Sequence, residues 1–94
     1  MKHNKISWIN PFKSNLPGIS HATYYSRVLK QEVGFGIYLP PKYYDMDDKF
    51  PVIYWLHGKG GNEADGVHSG IPGYLNQAIL EKQIPKMIME LAGY

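Results

Sequence analysis

The 94-residue chain has no cysteine, which excludes disulfide staples and thiolate metal centres. It has no apolar run of transmembrane length, and its first ten residues hold no apolar signal-peptide core. No membrane partner is therefore expected, and the cytoplasm is the default location. Charge of one sign is also lacking. Ten lysines and arginines stand against eight acidic residues, for a net charge of +2, and the basic residues are scattered along the chain. Without a basic stripe there is no footprint for nucleic acid. Internal repeats and low-complexity tracts are absent too. Histidines are few, and none falls in an H-x-x-x-H or H-E-x-x-H pattern, so no metal site or other cofactor is expected.

What is present suits one small globular domain: 44% hydrophobic residues and 14% aromatic ones. Residues 1–20 mix polar residues with isolated apolar ones. Pro11, Pro17 and Gly18 break any period, so an irregular, loosely attached N-terminal arm is expected. Thr23–Leu29 and Val33–Leu39 are rich in β-branched and aromatic residues. With the polar Lys30–Glu32 between them, they predict an antiparallel hairpin that Pro40-Pro41 ends. Tyr43–Phe50 is a polar connector. Its Asp45, Asp47 and Asp48 invite a calcium loop, but Phe50 and Leu56 stand where an EF-hand loop needs glycine and glutamate. A solvated turn is the better reading.

The organising stretch is Pro51–Gly61. Val52–His57 is a continuous apolar run of strand length, which predicts a strand buried on both faces. The glycine-dense Gly58-Lys-Gly-Gly61 follows at once. Asn62–Gly70 is expected to be a loop. A helix fits Ile71–Gln83, with Ile71, Leu75, Ala78, Ile79 and the stem of Lys82 on one stripe; Pro85 ends it. Met87–Met89 is a second short buried strand. The fold class is thus α/β: a hairpin followed by one βαβ unit, whose crossover should be right-handed.

Three chemistries place glycines directly after a strand. The dinucleotide fingerprint fails because Glu63 occupies its third glycine position, where a carboxylate would face a pyrophosphate. The phosphate-cradling loop fails because Val67 replaces its lysine. The third is an oxyanion hole, in which backbone N–H groups meet the charge that develops on a carbonyl oxygen. His57-Gly-Lys-Gly-Gly61 has that form, although the same pentapeptide serves equally as a tight turn with His57 packing or orienting it.

The longer string Tyr38-Leu-Pro-Pro-x-Tyr43, followed by Phe50-Pro-Val-Ile-Tyr-Trp-Leu-His-Gly-Lys-Gly-Gly-Asn-Glu63, resembles the "Putative esterase" family of α/β-hydrolases, which includes feruloyl esterases, enterochelin esterases and the esterase D group. Leu75–Glu81 and Ile84–Ile88 are similar to that family's first helix and next strand. The resemblance covers about residues 20 to 89. It implies the N-terminal part of an α/β-hydrolase sheet, with the backbone N–H of Lys59 and of Gly60 in the oxyanion hole. His57, Gly58 and Gly61 would shape the loop.

The family's nucleophile sits on a G-x-S-x-G elbow, and this chain has none. Ser69, in Gly66-Val-His-Ser-Gly70, stands one place late and is better read as a helix cap; Ser20 precedes a strand rather than following one. His3, His21 and His68 read as surface residues. After Met89 the sequence departs from the family. The expectation is a partial domain over 21–94 that stops before the elbow: an ester hydrolase fragment that is inactive alone and meets ester substrate only when the missing part completes it. The alternative is a small non-catalytic module whose eight tyrosines stack on sugars or phenolics.

Overall fold

The computed structural model describes residues 8–45, 47 and 49–93. His3 and Asp48, considered above, lie outside the described residues. Four strands form one mixed sheet: β1 (Ile19–Ser26), β2 (Gln31–Tyr38), β3 (Val52–Trp55) and β4 (Ile88–Leu91), in the order β1-β2-β4-β3. β1 pairs antiparallel with β2, β2 antiparallel with β4, and β3 parallel with β4. Two helices, α1 (Glu63–His68) and α2 (Ile71–Leu80), form the crossover between the parallel strands. This is the α/β arrangement that the alternating strand and helix patterns predict.

The hairpin turns earlier than expected. Ser26 pairs with Gln31, so the loop is Arg27–Lys30 rather than Lys30–Glu32. Val28 and Leu29 read as strand but are exposed. Lys30 adopts a φ of +54°, and the Leu29 N–H donates to Ser26 Oγ at 3.2 Å, which together set the turn. β1 begins at Ile19, inside the segment expected to be irregular. Within the described part of that segment, residues 8–18 are tied to the sheet: Gly34 N–H donates to the Trp8 carbonyl at 2.6 Å, and Leu39 N–H to the Gly18 carbonyl at 2.9 Å.

Cross-strand partners share a sheet face. The register therefore puts Ile19, His21, Gly34, Gly36, Tyr38, Met89 and Leu91 on one face. Leu75 and Ile79 of α2 pack there against Tyr38, Met89 and Leu91, and Leu16, Trp55, Val67, Ile84 and Met87 extend this core. Tyr38 is fully buried and its hydroxyl donates to Asn76 Oδ1 at 2.7 Å, so α2 is fixed by a polar bond as well as by apolar contact. Burial pushes the Tyr38 hydroxyl up from its ordinary pKa.

The expected burial of β3 on both faces is not observed. β3 is an edge strand, and Tyr54 is 61% exposed with Val52 and Ile53 also open. Among the described residues, β4 is its one strand partner.

α2 stops at Leu80, not Gln83. Lys82 has a φ of +60°, its N–H donates to the Ile79 carbonyl at 3.0 Å, and the Gln83 N–H reaches the Ala78 carbonyl at 2.9 Å. That pair of bonds is a Schellman ending, with lysine where glycine costs least. Lys82 is therefore a capping residue, not the end of the apolar stripe, and Ile71, at the other end of that stripe, is exposed.

Candidate functional site

The loop after β3 is fixed at its upstream end where the Ala92 N–H donates to the Trp55 carbonyl at 3.0 Å. Its apex is a four-residue turn. The Gly61 N–H donates to the Gly58 carbonyl at 2.9 Å, with Lys59 and Gly60 at the two central positions. Gly60 has a φ of +79° while Lys59 stays at negative φ, which is the type II pattern and explains a glycine at 60. His57 Nδ1 lies 2.8 Å from the same Gly58 oxygen. A carbonyl only accepts, so Nδ1 carries the hydrogen, and Gly58 O receives two bonds from one side of the loop. His57 Nε2 is buried and has no partner among the described residues.

Downstream, Asn62 caps α1: its Oδ1 accepts from Ala64 N–H at 2.8 Å, and its own N–H donates to Asp65 Oδ2 at 3.1 Å. This reciprocal pair is a capping box. Asn62–Gly70 is therefore not a loop as expected, because the Asn62-x-x-Asp65 signal starts a helix. The N–H groups of Gly61, Asn62, Ala64 and Asp65 are all engaged. Those of Lys59 and Gly60, on exposed residues at the apex, donate to nothing among the described residues. The apex of this turn therefore carries two adjacent backbone donors that are unengaged among the described residues.

Beside this loop lies a cluster that reading the sequence missed. Glu63, the first residue of α1, is fully buried. Its Oε2 accepts from the Asn10 N–H at 3.0 Å and lies 2.8 Å from His21 Nε2; its Oε1 accepts from Asn10 Nδ2 at 3.1 Å. Burial alone would raise the carboxyl pKa, but the bonds from Asn10, His21 and its own N–H outweigh burial and hold it below the ordinary glutamate value. His21 is therefore not a surface residue: its side chain is 15% exposed, within hydrogen-bond distance of Glu63 Oε2 and edge-on to Phe12 at 5.4 Å. A Cβ at Gly34 would overlap Glu63 Oε2, so the glycine in the middle of β2 makes room for the carboxylate.

The two serines stand apart from any such cluster. Ser69 Oγ donates to the Gly66 carbonyl at 2.6 Å and accepts from Ile71 N–H at 3.1 Å, joining the end of α1 to the start of α2. The N-cap of α2 is Gly70, one residue after the serine expected there. Ser20 is exposed on β1, and His68 is exposed on α1.

The family model described as "Putative esterase" matches residues 26–90, which spans the hairpin turn, β2, β3, the glycine loop, both helices and nearly all of β4. The chain belongs to this esterase family. Among solved structures it is similar to a ferulic acid esterase from Anaeromyces mucronatus in complex with ferulic acid, at 26% identity and a TM-score of 0.70, covering 97% of this chain and 36% of that one. The same enzyme without substrate matches at 27% identity, TM-score 0.69, over 95% and 36% of the two chains. A feruloyl esterase module from Clostridium thermocellum complexed with sinapinate shares the fold at 22% identity, TM-score 0.61, over 96% and 34%. The esterase chain thus spans about a third of the length of these structures. Among its described residues, no helix is long and apolar enough to cross a membrane.

Proposed function

We propose that this chain carries the oxyanion-hole loop of a serine carboxylic-ester hydrolase, with the backbone N–H groups of Lys59 and Gly60 as donors. The observation that supports this most is the pair of unengaged N–H groups at the turn apex, just before Gly61 and Asn62, whose own N–H groups are bonded. Membership of the esterase family supports it from a second direction. His57, Gly58 and Gly61 shape the turn.

The chemistry this loop serves is attack by a serine hydroxyl on an ester carbonyl, giving a tetrahedral intermediate, then an acyl-enzyme that water releases. Charge moves onto the carbonyl oxygen only as the intermediate forms. Fixed N–H groups therefore stabilise the transition state more than the ground state, by about 3–4 kcal/mol for one donor. The serine, the base and the acid would come from sequence outside these 94 residues. Ferulic acid bound to the relative from Anaeromyces mucronatus makes feruloyl-type esters the substrate class to test first.

The experiment has two arms. The purified 94-residue chain should not hydrolyse an aryl acetate above the buffer rate. A chimera, in which residues 26–90 replace the matching segment of the Anaeromyces mucronatus enzyme, should hydrolyse methyl ferulate. Activity of the isolated chain that disappears on Ser69→Ala would overturn the first statement. A folded but inactive chimera would overturn the second.

A further inference from the structure

Glu63 is an expensive choice for its position. It is wholly buried, where an apolar side chain would avoid the cost of desolvating a charge. Its partners come from far along the chain: Asn10 is separated from it by 53 positions and His21 by 42. The place where it is anchored matters as much. β3 ties the upstream end of the glycine loop into the sheet. The downstream end enters α1, a six-residue helix too short to hold itself in place. The Glu63 carboxylate is what joins the first turn of α1 to β1 and to the segment before it.

That segment is itself tied down. The Trp8 carbonyl accepts from Gly34 N–H, Asn10 gives two donors to the carboxylate, and Phe12 packs edge-on against His21. Residues 8–12 thus form a strap across β1 and β2 that ends on the residue next to the loop's helix cap.

We propose that Glu63 is a positioning residue for the Lys59–Gly60 turn, and that the strap acts on the turn through Asn10 and Glu63. The strap holds the carboxylate, the carboxylate holds the first turn of α1, and the capping box of Asn62 and Asp65 passes that restraint to Gly61. The use made of the turn rests on the oxyanion reading above; the mechanical coupling rests on the contacts alone. Release of the strap, by cleavage or by a competing partner, would loosen the loop and leave the sheet intact.

The test uses the full chain labelled with 15N. Asn10→Asp places a carboxylate against Glu63 Oε1 and expels the strap; Asn10→Ala and Glu63→Gln are milder versions. The readouts are the heteronuclear NOE of Lys59 and Gly60, hydrogen exchange at Gly61, and exchange at Gly36 and Ala92 as sheet references. In Asn10→Asp the NOE at Lys59 and Gly60 should fall and Gly61 should exchange about tenfold faster, with the references within about twofold. Equal acceleration at all sites would show only a stability role and would overturn the proposal. So would an unchanged Gly61, or a wild-type Glu63 carboxyl that titrates at the ordinary glutamate value. Failure here leaves the chimera's activity untouched, whereas failure of the oxyanion reading leaves the exchange pattern untouched.

Discussion

Lys59→Pro removes one N–H from the turn while leaving the turn itself favoured. Position 59 is the second residue of a type II turn, where proline is common because its fixed φ matches the backbone already present. The Lys59 N–H has no internal partner to lose. The folded state should therefore hold, and stability should rise by about 0.4–1 kcal/mol through the lower entropy of the unfolded chain. In the chimera the missing donor should cut kcat for methyl ferulate by about 10²–10³-fold, equivalent to roughly 3–4 kcal/mol, with little change in KM. Lys59→Ala deletes the exposed side chain but keeps the N–H, so its kcat should stay near that of the unsubstituted chimera. Steady-state kinetics alongside thermal melts separates the two effects. If Lys59→Pro retains full kcat in a folded chimera, or if Lys59→Ala loses as much as Lys59→Pro, the N–H is not the working group and the reasoning is refuted.

Four further outcomes follow from the packing. Lys82→Gly should raise stability by about 1 kcal/mol, read by urea denaturation, since Lys82 sits at a φ of +60° in the Schellman ending. Gly34→Ala should cost about 3 kcal/mol by the same measurement, because the new methyl group overlaps the buried Glu63 carboxylate. Tyr38→Phe should cost about 1–2 kcal/mol, as it leaves the buried Asn76 carbonyl without its donor. The carboxyl of Glu63 titrates lower in the folded state than in the unfolded chain, so its stabilisation is complete above the ordinary glutamate range of about 4.3 and is lost as pH falls through the folded pKa. Glu63→Gln should therefore flatten the acid limb of a plot of melting temperature against pH, and an unchanged acid limb would count against the bonds that hold the carboxylate ionised.

The hairpin and the helix crossover were legible because hydrophobic period and turn residues mark them directly. Val33–Leu39 and the run from Val52 could be little else than strands, whereas the helix ended at the Lys82 turn, short of the stop that Pro85 set. Burial was harder. An apolar run such as Val-Ile-Tyr-Trp states that a strand suits an interior, not which elements of this chain reach it, and β3 lies open at the sheet edge. α1 was missed because Gly66 sits inside it and the neighbouring glycines suggested a loop; the Asn62-x-x-Asp65 spacing was the overlooked signal. Glu63 and His21 could not be joined by any local pattern, since 42 positions separate them and only the register of β1 brings them together. At the loop itself, the glycine-dense letters pointed to a tight turn. The freedom of the Lys59 and Gly60 N–H groups is a backbone property that emerges only once the partners of Gly58, Gly61 and Asn62 are known.

Amide hydrogen exchange across residues 57–65 of the folded wild-type chain tests the central claim most directly. Lys59 and Gly60 should exchange near the rate of an unstructured peptide, while Gly61, bonded to the Gly58 carbonyl, is slowed. Strong protection at Lys59 or Gly60 would mean that those donors are already occupied, and no oxyanion could be bound there.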